Sequence, residues 1–165
     1  MPELNPLEHQ GKQQQLTGLV LELDGRSLLV PNTAVAELVA WQLPAEVPGG
    51  VRQDDGLIGS ISWRGQQLPL VSFEVLGGEA EPDVTETARI AIFNSLDPSA
   101  GLEFYAALLQ GIPRSLQVDS RLCSSHEPLR NGESAAVQLD GRLLFIPDLE
   151  GLEHKLIRAR LQQRF

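Results

Sequence analysis

Two near-copies of one turn constrain this chain more than any other feature. The stretch LTGLVLELDGRSLLVP holds two apolar runs separated by Asp24-Gly25, and VQLDGRLLFIP repeats the device at Asp140-Gly141. An Asp-Gly pair between apolar segments is a strong hairpin signal, because both turn residues must tolerate positive φ. A looser third copy, LIGSISWRGQQLPLVSF, turns near Arg64-Gly65. Hairpins with Leu-rich and β-branched arms predict a mostly β body. One matched turn does not by itself establish an internal repeat, since LDGR is a common hairpin solution.

The remaining elements follow from periodicity. Between the first two hairpin signals lies NTAVAELVAW, where Asn32 can cap and Val35, Leu38 and Val39 recur at helical spacing, which predicts a short internal helix. Pro44, Pro48, Gly49 and Gly50 break it. GGEAEPDVTETA, rich in acids and without a base, reads as a solvated linker over residues 77–88. RIAIFNS, EFYAALLQGI and RSLQVD read as strands, and residues 120–132 as loop. From Asp148 the pattern turns helical, with Leu149, Leu152, Leu156 and Ile157 in one stripe, acids early and bases late, as the helix dipole prefers. The predicted organisation is a flexible tail over residues 1–15 and a single domain over 16–165. Within that domain, subdomain 1 covers 16–76, the linker 77–88, subdomain 2 89–147 and the terminal helix 148–164.

Composition narrows the function classes. The 165 residues carry 13 Lys+Arg against 22 Asp+Glu, a net charge of -9, the wrong sign for a surface that tracks nucleic-acid phosphates. No apolar run is long enough to cross a membrane. Residues 1–15 are polar and contain Pro2 and Pro6, unlike a secretory leader, so the cytoplasm is the expected compartment. The single Cys123 cannot form an intramolecular disulfide or a multi-Cys metal site, and is expected as a small, partly buried apolar residue.

No catalytic or metal constellation emerges. His9, His126 and His154 lack a second His or Cys at ligand spacing. Ser124-Ser125-His126-Glu127 could suggest a nucleophile beside its base, but adjacency on a loop does not create that geometry, and an ordinary polar loop is the better reading. No cofactor is implied. The terminal helix reads as docked on the sheet rather than as a membrane-surface or partner helix, because its opening acids oppose membrane binding. The most informative segment is Gly56 to Phe73. Trp63 and Arg64 fall at a hairpin tip beside Gly65 and shortly before Pro69. Trp63 could cap the core with Arg64 in solvent, or the pair could form a binding hot spot.

These residues resemble a known family. VLELDGRSLLVPNTAVAELV followed by VPGGVRQDDGLIGSISWRGQQLPLVSFEVLG is similar to the first part of CheW-like chemotaxis coupling proteins. Val35-Ala36-Glu37-Leu38 occupies that family's Val-x-Glu-Ile/Leu step. Gly59 to Gly65 with Leu68-Pro69-Leu70-Val71 occupies its Arg-Gly-x-x-hydrophobic-Pro step, and LDGRLLFIPDLEGL resembles its closing hairpin and helix. The chain departs from the family pattern at Ser62 (usually Asn), Trp63 (usually Leu), Ser72 (usually Asp) and Gln110 (where Asp is common), which suggests a divergent accessory member.

The resemblance implies two SH3-like five-stranded β-barrel subdomains with a short internal helix and a C-terminal helix. It implies a non-enzymatic adaptor that couples the cytoplasmic tip of methyl-accepting chemoreceptors to the regulatory domain of a CheA-type histidine kinase. The output would be chemotaxis or type IV pilus twitching, at membrane-associated receptor arrays without direct membrane insertion. By the same resemblance Val35, Glu37, Leu38, Trp63 and Arg64 would bind the receptor. Gly59, Gly65 and Pro69 would form the structural turn of the motif, and the kinase contacts are unassigned. The alternative on the same fold is a regulator that binds a different partner or competes with the main coupling protein.

Overall fold

The computed structural model describes residues 16–165; the tail expected over residues 1–15 lies outside them. The first hairpin is β1 (Leu16–Leu23) and β2 (Arg26–Pro31). A 3-10 turn at Asn32–Ala34 leads into β3 (Val35–Ala40). The second hairpin is β4 (Leu57–Trp63) and β5 (Gln66–Val71), closed by a one-turn helix α1 (Phe73–Leu76). Beyond the acidic segment come β6 (Arg89–Asn94), β7 (Phe104–Leu109), β8 (Arg114–Val118) and a two-residue β9 (Cys123–Ser124). β10 (Glu133–Leu139) and β11 (Arg142–Pro147) form the last hairpin before α2 (Leu149–Leu161).

The strands form two sheets, ordered β8-β1-β2-β11-β10-β9 and β3-β6-β7-β5-β4. Each sheet takes strands from both sides of the acidic 77–88 segment, and each contains one parallel pairing that joins the two sides. Leu28 on β2 lies opposite Phe145 on β11, and Leu70 and Val71 on β5 lie opposite Ala106 and Ala107 on β7. The sheets therefore interleave the chain rather than dividing it in sequence order.

Between the sheets lies the largest core, with Leu21, Leu28, Phe145 and Val30 from one sheet and Leu57, Val71, Phe93 and Tyr105 from the other. Each sheet also curls around a smaller core of its own. Ile61, Trp63, Ile90, Ile92 and Leu108 fill the five-stranded one. Val20, Leu29, Val137 and Leu144 fill the six-stranded one. This explains the near-continuous apolar runs of the sequence: in RIAIF and FYAALL successive residues serve opposite cores, so neither face needs a polar residue. Full burial of each large aliphatic or aromatic side chain contributes about 1.5–3 kcal/mol.

Two expectations are corrected. The helix expected over NTAVAELVAW is a 3-10 turn and a strand, and the short internal helix is instead α1. The spacing of Val35, Leu38 and Val39 fits a helix, but β-branched residues favour a pleated surface, and β6 offers a complete antiparallel partner. Cys123 is exposed rather than partly buried, because β9 is a short edge that pairs with β10 only at Val137 and Gln138.

Of the turns, Asp140-Gly141 and Arg64-Gly65 put both residues at positive φ, whereas at Asp24-Gly25 only the glycine does so. The Asp24 amide donates to the buried Glu74 carboxylate at 3.1 Å, which ties the first hairpin to α1. Glu22 ties four strands together. It accepts from Ser27, Arg114 and Arg142 at 2.8, 3.1 and 2.6 Å. Burial pushes its carboxyl upward, but the hydrogen bonds and the two arginine charges outweigh that and hold it below the ordinary carboxylate value.

α2 docks through Leu149, Leu152, Leu156 and Ala159, with Asp148 accepting from the Gly151 amide at 3.0 Å as its N-cap. Glu153 is buried on the same helix. It accepts from the Leu96 amide at 2.8 Å and from the Tyr105 hydroxyl at 3.4 Å. Burial raises its carboxyl above the ordinary 4.5, with the hydrogen bonds only partly offsetting this. A raised native value means that the folded protein binds the proton more tightly than the unfolded chain. Stability from this group is therefore full at low pH and is lost as pH rises through the native value. Glu153→Gln should remove that decline. In urea unfolding between about pH 4 and pH 7, wild type should lose stability relative to the variant, and parallel profiles would contradict the assignment.

Candidate functional site

β3 and β4 are the two edges of the five-stranded sheet, and the sheet curls until these edges approach. The seam is closed at three points. Ala45 and Ser60 exchange backbone hydrogen bonds of 2.8 and 3.1 Å. The Gln42 amide accepts from Ser62 N–H at 3.3 Å and donates to Ser62 C=O at 3.2 Å. The Trp63 indole N–H donates to Glu37 Oε2 at 2.6 Å.

Gly59 and Pro69, expected at the turn of the motif, lie within β4 and β5; Gly65 alone of the three is in the turn. Gly59 has a different reason to be glycine: an added Cβ would stand 2.6 Å from Pro44 Cβ and 2.8 Å from Ala45 O, which would push the seam apart. Pro69 has no N–H to donate, and the pairing of β5 with β7 begins one residue later, at Leu70.

Of the five residues expected to contact a receptor, three come together at the seam. Trp63 is 9% exposed and meets Phe104 edge to face, with ring centroids 4.9 Å apart. Arg64, at φ 46° in the two-residue turn, folds back so that its guanidinium lies 4.9 Å from the Trp63 ring centroid and 3.4 Å from Glu37 Oε2. One carboxylate oxygen thus serves both the indole and the guanidinium. The Arg64 side chain remains 69% exposed, held in place from below. Trp63 caps the core of this sheet, and Arg64 lies above it with its side chain largely in solvent.

Val35 is separated from this cluster by a β-bulge at Ala36, and Leu38 by the ordinary alternation of a strand. Val35 lies opposite Phe93, but Glu37 lies opposite Ile92, so the register slips by one residue. Val35 therefore packs on the core between the sheets, and Leu38, opposite Ala91, points to that same side with 36% exposure. Glu37 and Val39 face the Trp63 side. A helical reading could not have found this division, because it turns on strand alternation together with a bulge.

Elsewhere, the Ser125 hydroxyl accepts from the Glu127 amide at 3.3 Å, and His126 is exposed in the same loop. His154 is exposed on α2, and His9 lies outside the described residues. Among the described residues no three His, Cys, Asp or Glu side chains gather as a metal site, and no helix is long and apolar enough to cross a membrane. One feature that sequence reasoning missed is an apolar pocket of about 370 Å³ at the end of the six-stranded sheet. Leu16, Leu29, Val118, Leu122 and Ile146 line it. Four segments of the chain, near residues 16, 30, 120 and 146, build this wall, so no local signal marks it.

The geometry makes the two roles of Glu37 separable. Glu37→Ala leaves the indole N–H without its acceptor and should cost about 1–2 kcal/mol. Glu37→Gln keeps an acceptor oxygen and loses only the exposed ion pair with Arg64, a change below about 1 kcal/mol. Urea denaturation should rank the two in that order; equal losses would show that the indole bond contributes nothing.

Comparison with known proteins agrees with this architecture. The scaffolding protein TtCheW from Thermoanaerobacter tengcongensis shares the fold with a TM-score of 0.67 and 15% sequence identity, over 83% of this chain and 86% of that one. No curated protein matches the sequence. The CheW-like domain family matches residues 17–156, nearly the whole described chain, and the protein belongs to that family.

Proposed function

We propose that this protein is a non-enzymatic coupling protein that joins chemoreceptor cytoplasmic tips to the regulatory domain of a CheA-type histidine kinase. The observation that carries this reading is the Glu37–Trp63–Arg64 cluster, formed by the residues that the family resemblance assigns to receptor contact, on a chain that belongs to the CheW-like domain family. The related fold of a scaffolding protein is in keeping with it.

The cluster has the physical form of a docking point. An exposed arginine is costly to immobilise when a partner arrives, because its side chain loses rotamer freedom. Here the Trp63 face and the Glu37 carboxylate have already restricted it, so less freedom remains to be lost. On a chain of net charge -9, Arg64 offers a local donor to a polar or acidic residue of the receptor tip. Val35 and Leu38, on the other side of β3, would add apolar contact to a second face of the same helical tip.

Trp63 also favours the narrower reading of a divergent accessory member, such as those in chemosensory systems that control type IV pili. Its indole holds Glu37 at 2.6 Å, a tie that an aliphatic residue at this position could not make. Such a member could compete with the main coupling protein for the receptor. Its place would be the cytoplasmic face of membrane-associated receptor arrays.

Isothermal titration with a receptor cytoplasmic fragment and with the kinase regulatory domain tests the proposal. Both should bind, and Arg64→Ala should weaken receptor binding about tenfold, as expected for an interface hot spot, while leaving kinase binding and the melting temperature unchanged. No binding to either partner at tens of micromolar would overturn the proposal.

A further inference from the structure

The cations of this chain are unevenly partnered. The described residues include twelve Lys and Arg side chains. Arg26, Arg64, Arg114, Arg121, Arg130, Arg142 and Arg164 each lie within ion-pair distance of a carboxylate. Arg89 and Arg160 donate to backbone carbonyls. Only Arg52, Lys155 and Arg158 make neither an ion pair nor a side-chain hydrogen bond with another described residue. All three line the same pocket, a cleft of about 260 Å³ between α2 and the loop before β4. In a chain where acids outnumber bases, free cations gathered in one cleft call for an explanation.

The helix dipole explains part of it. Arg158 lies in the last turn of α2, where a cation offsets exposed carbonyls, and Lys155 lies one turn earlier. It does not explain Arg52, which comes from the opposite wall. That wall is fixed from below by Arg164, which is 97% buried by side chain. Its Nη2 donates to Gly50 C=O at 3.3 Å, and its Nε lies 3.5 Å from Asp55. Asp55 itself lines the cleft, so Arg164 balances one of the cleft's two carboxylates, Asp54 being the other. Arg164 does not itself line the cleft; it lies behind the wall and leaves the charges of Arg52, Lys155 and Arg158 uncompensated by Asp55. The cleft lining therefore holds three cations against two acids, and one of those acids, Asp55, is already paired with Arg164 beneath it.

We propose that this cleft binds an acidic side chain of a protein partner, as a docking point separate from the Arg64 cluster and independent of the receptor reading. The volume is small for a nucleotide and ample for one or two carboxylates. The two carboxylates in the wall favour a singly charged group over a multiply charged phosphate. A carboxylate entering between Arg52 and Arg158 gains charge-assisted hydrogen bonds from both walls and holds the loop against the helix.

The test is an NMR titration of the ¹⁵N-labelled full chain with hexaglutamate, using hexaglutamine and inorganic phosphate as parallel probes. The net charge opposes any nonspecific approach of a polyanion, so a saturable response reports a local site. Hexaglutamate should shift the Arg52, Lys155 and Arg158 signals to saturation, hexaglutamine should not, and raising salt from about 50 to about 200 mM should weaken the response. Arg158→Gln should raise the Kd about threefold, and the combined Arg52→Gln, Lys155→Gln and Arg158→Gln variant roughly tenfold or more. Arg52→Gln alone, on an exposed loop, gives a second reading should the triple variant not fold. Unsaturable shifts, unchanged affinity in the variants, or tighter saturation by phosphate than by hexaglutamate would each overturn the proposal.

Discussion

The structure depends on one shared core, because neither sheet can bury its inner face alone. Leu21, Leu28 and Phe145 need Leu57, Phe93 and Tyr105 across from them, and α2 seals the side with Leu149, Leu152 and Leu156. The two parallel pairings, β2 with β11 and β5 with β7, bring strands from both ends of the chain into each sheet. A hairpin taken out of this arrangement would expose two apolar faces, not one. That is why the chain has so few alternating strands. Three of the buried polar groups, Glu74, Glu153 and Arg164, serve as ties between distant segments.

The seam of the five-stranded sheet shows how the same economy builds the Glu37–Trp63–Arg64 cluster. A sheet that curls leaves two edges, and unpaired edges invite unwanted pairing. This protein closes its edges partly with backbone bonds and partly with side chains. The side-chain closure at Trp63 and Glu37 places an aromatic face and a carboxylate at the surface, and the adjacent tight turn lays Arg64 over both. The turn is needed by the hairpin whether or not a partner exists. Its geometry lays the guanidinium against Trp63 and Glu37.

Much of this was legible in the sequence, and the failures have definite causes. The Asp-Gly turns and the Arg64-Gly65 turn mark hairpins because few residues tolerate that backbone, and all three are where the local chemistry puts them. Asp148 and the leucine stripe mark α2 for the same local reason. NTAVAELVAW was misleading because three apolar residues at helical spacing also fit a bulged strand, and only the partner β6 decides between them. Cys123 reads as partly buried because no fixed cationic neighbour other than Arg121 marks a reactive thiol, but its burial depended on whether another strand would cover β9. Glu37, Trp63 and Arg64 could be singled out by resemblance, whereas their sharing of one carboxylate oxygen could not.

Taken alone, the sequence determined the local features: the turns, the strand-forming runs, the terminal helix with its cap, and a charge balance unsuited to nucleic acid. These depend on backbone tolerance and side-chain type within a few residues. Tertiary structure decided which strands became neighbours, which side of β3 each residue faces, and which cations were left without a carboxylate. Those outcomes depend on contacts between residues up to a hundred or more positions apart, such as Glu22 with Arg142 and Gly50 with Arg164. Loop closure over such distances is entropically costly and is offset only by burial of the whole core at once, so no single segment of the sequence carries the information.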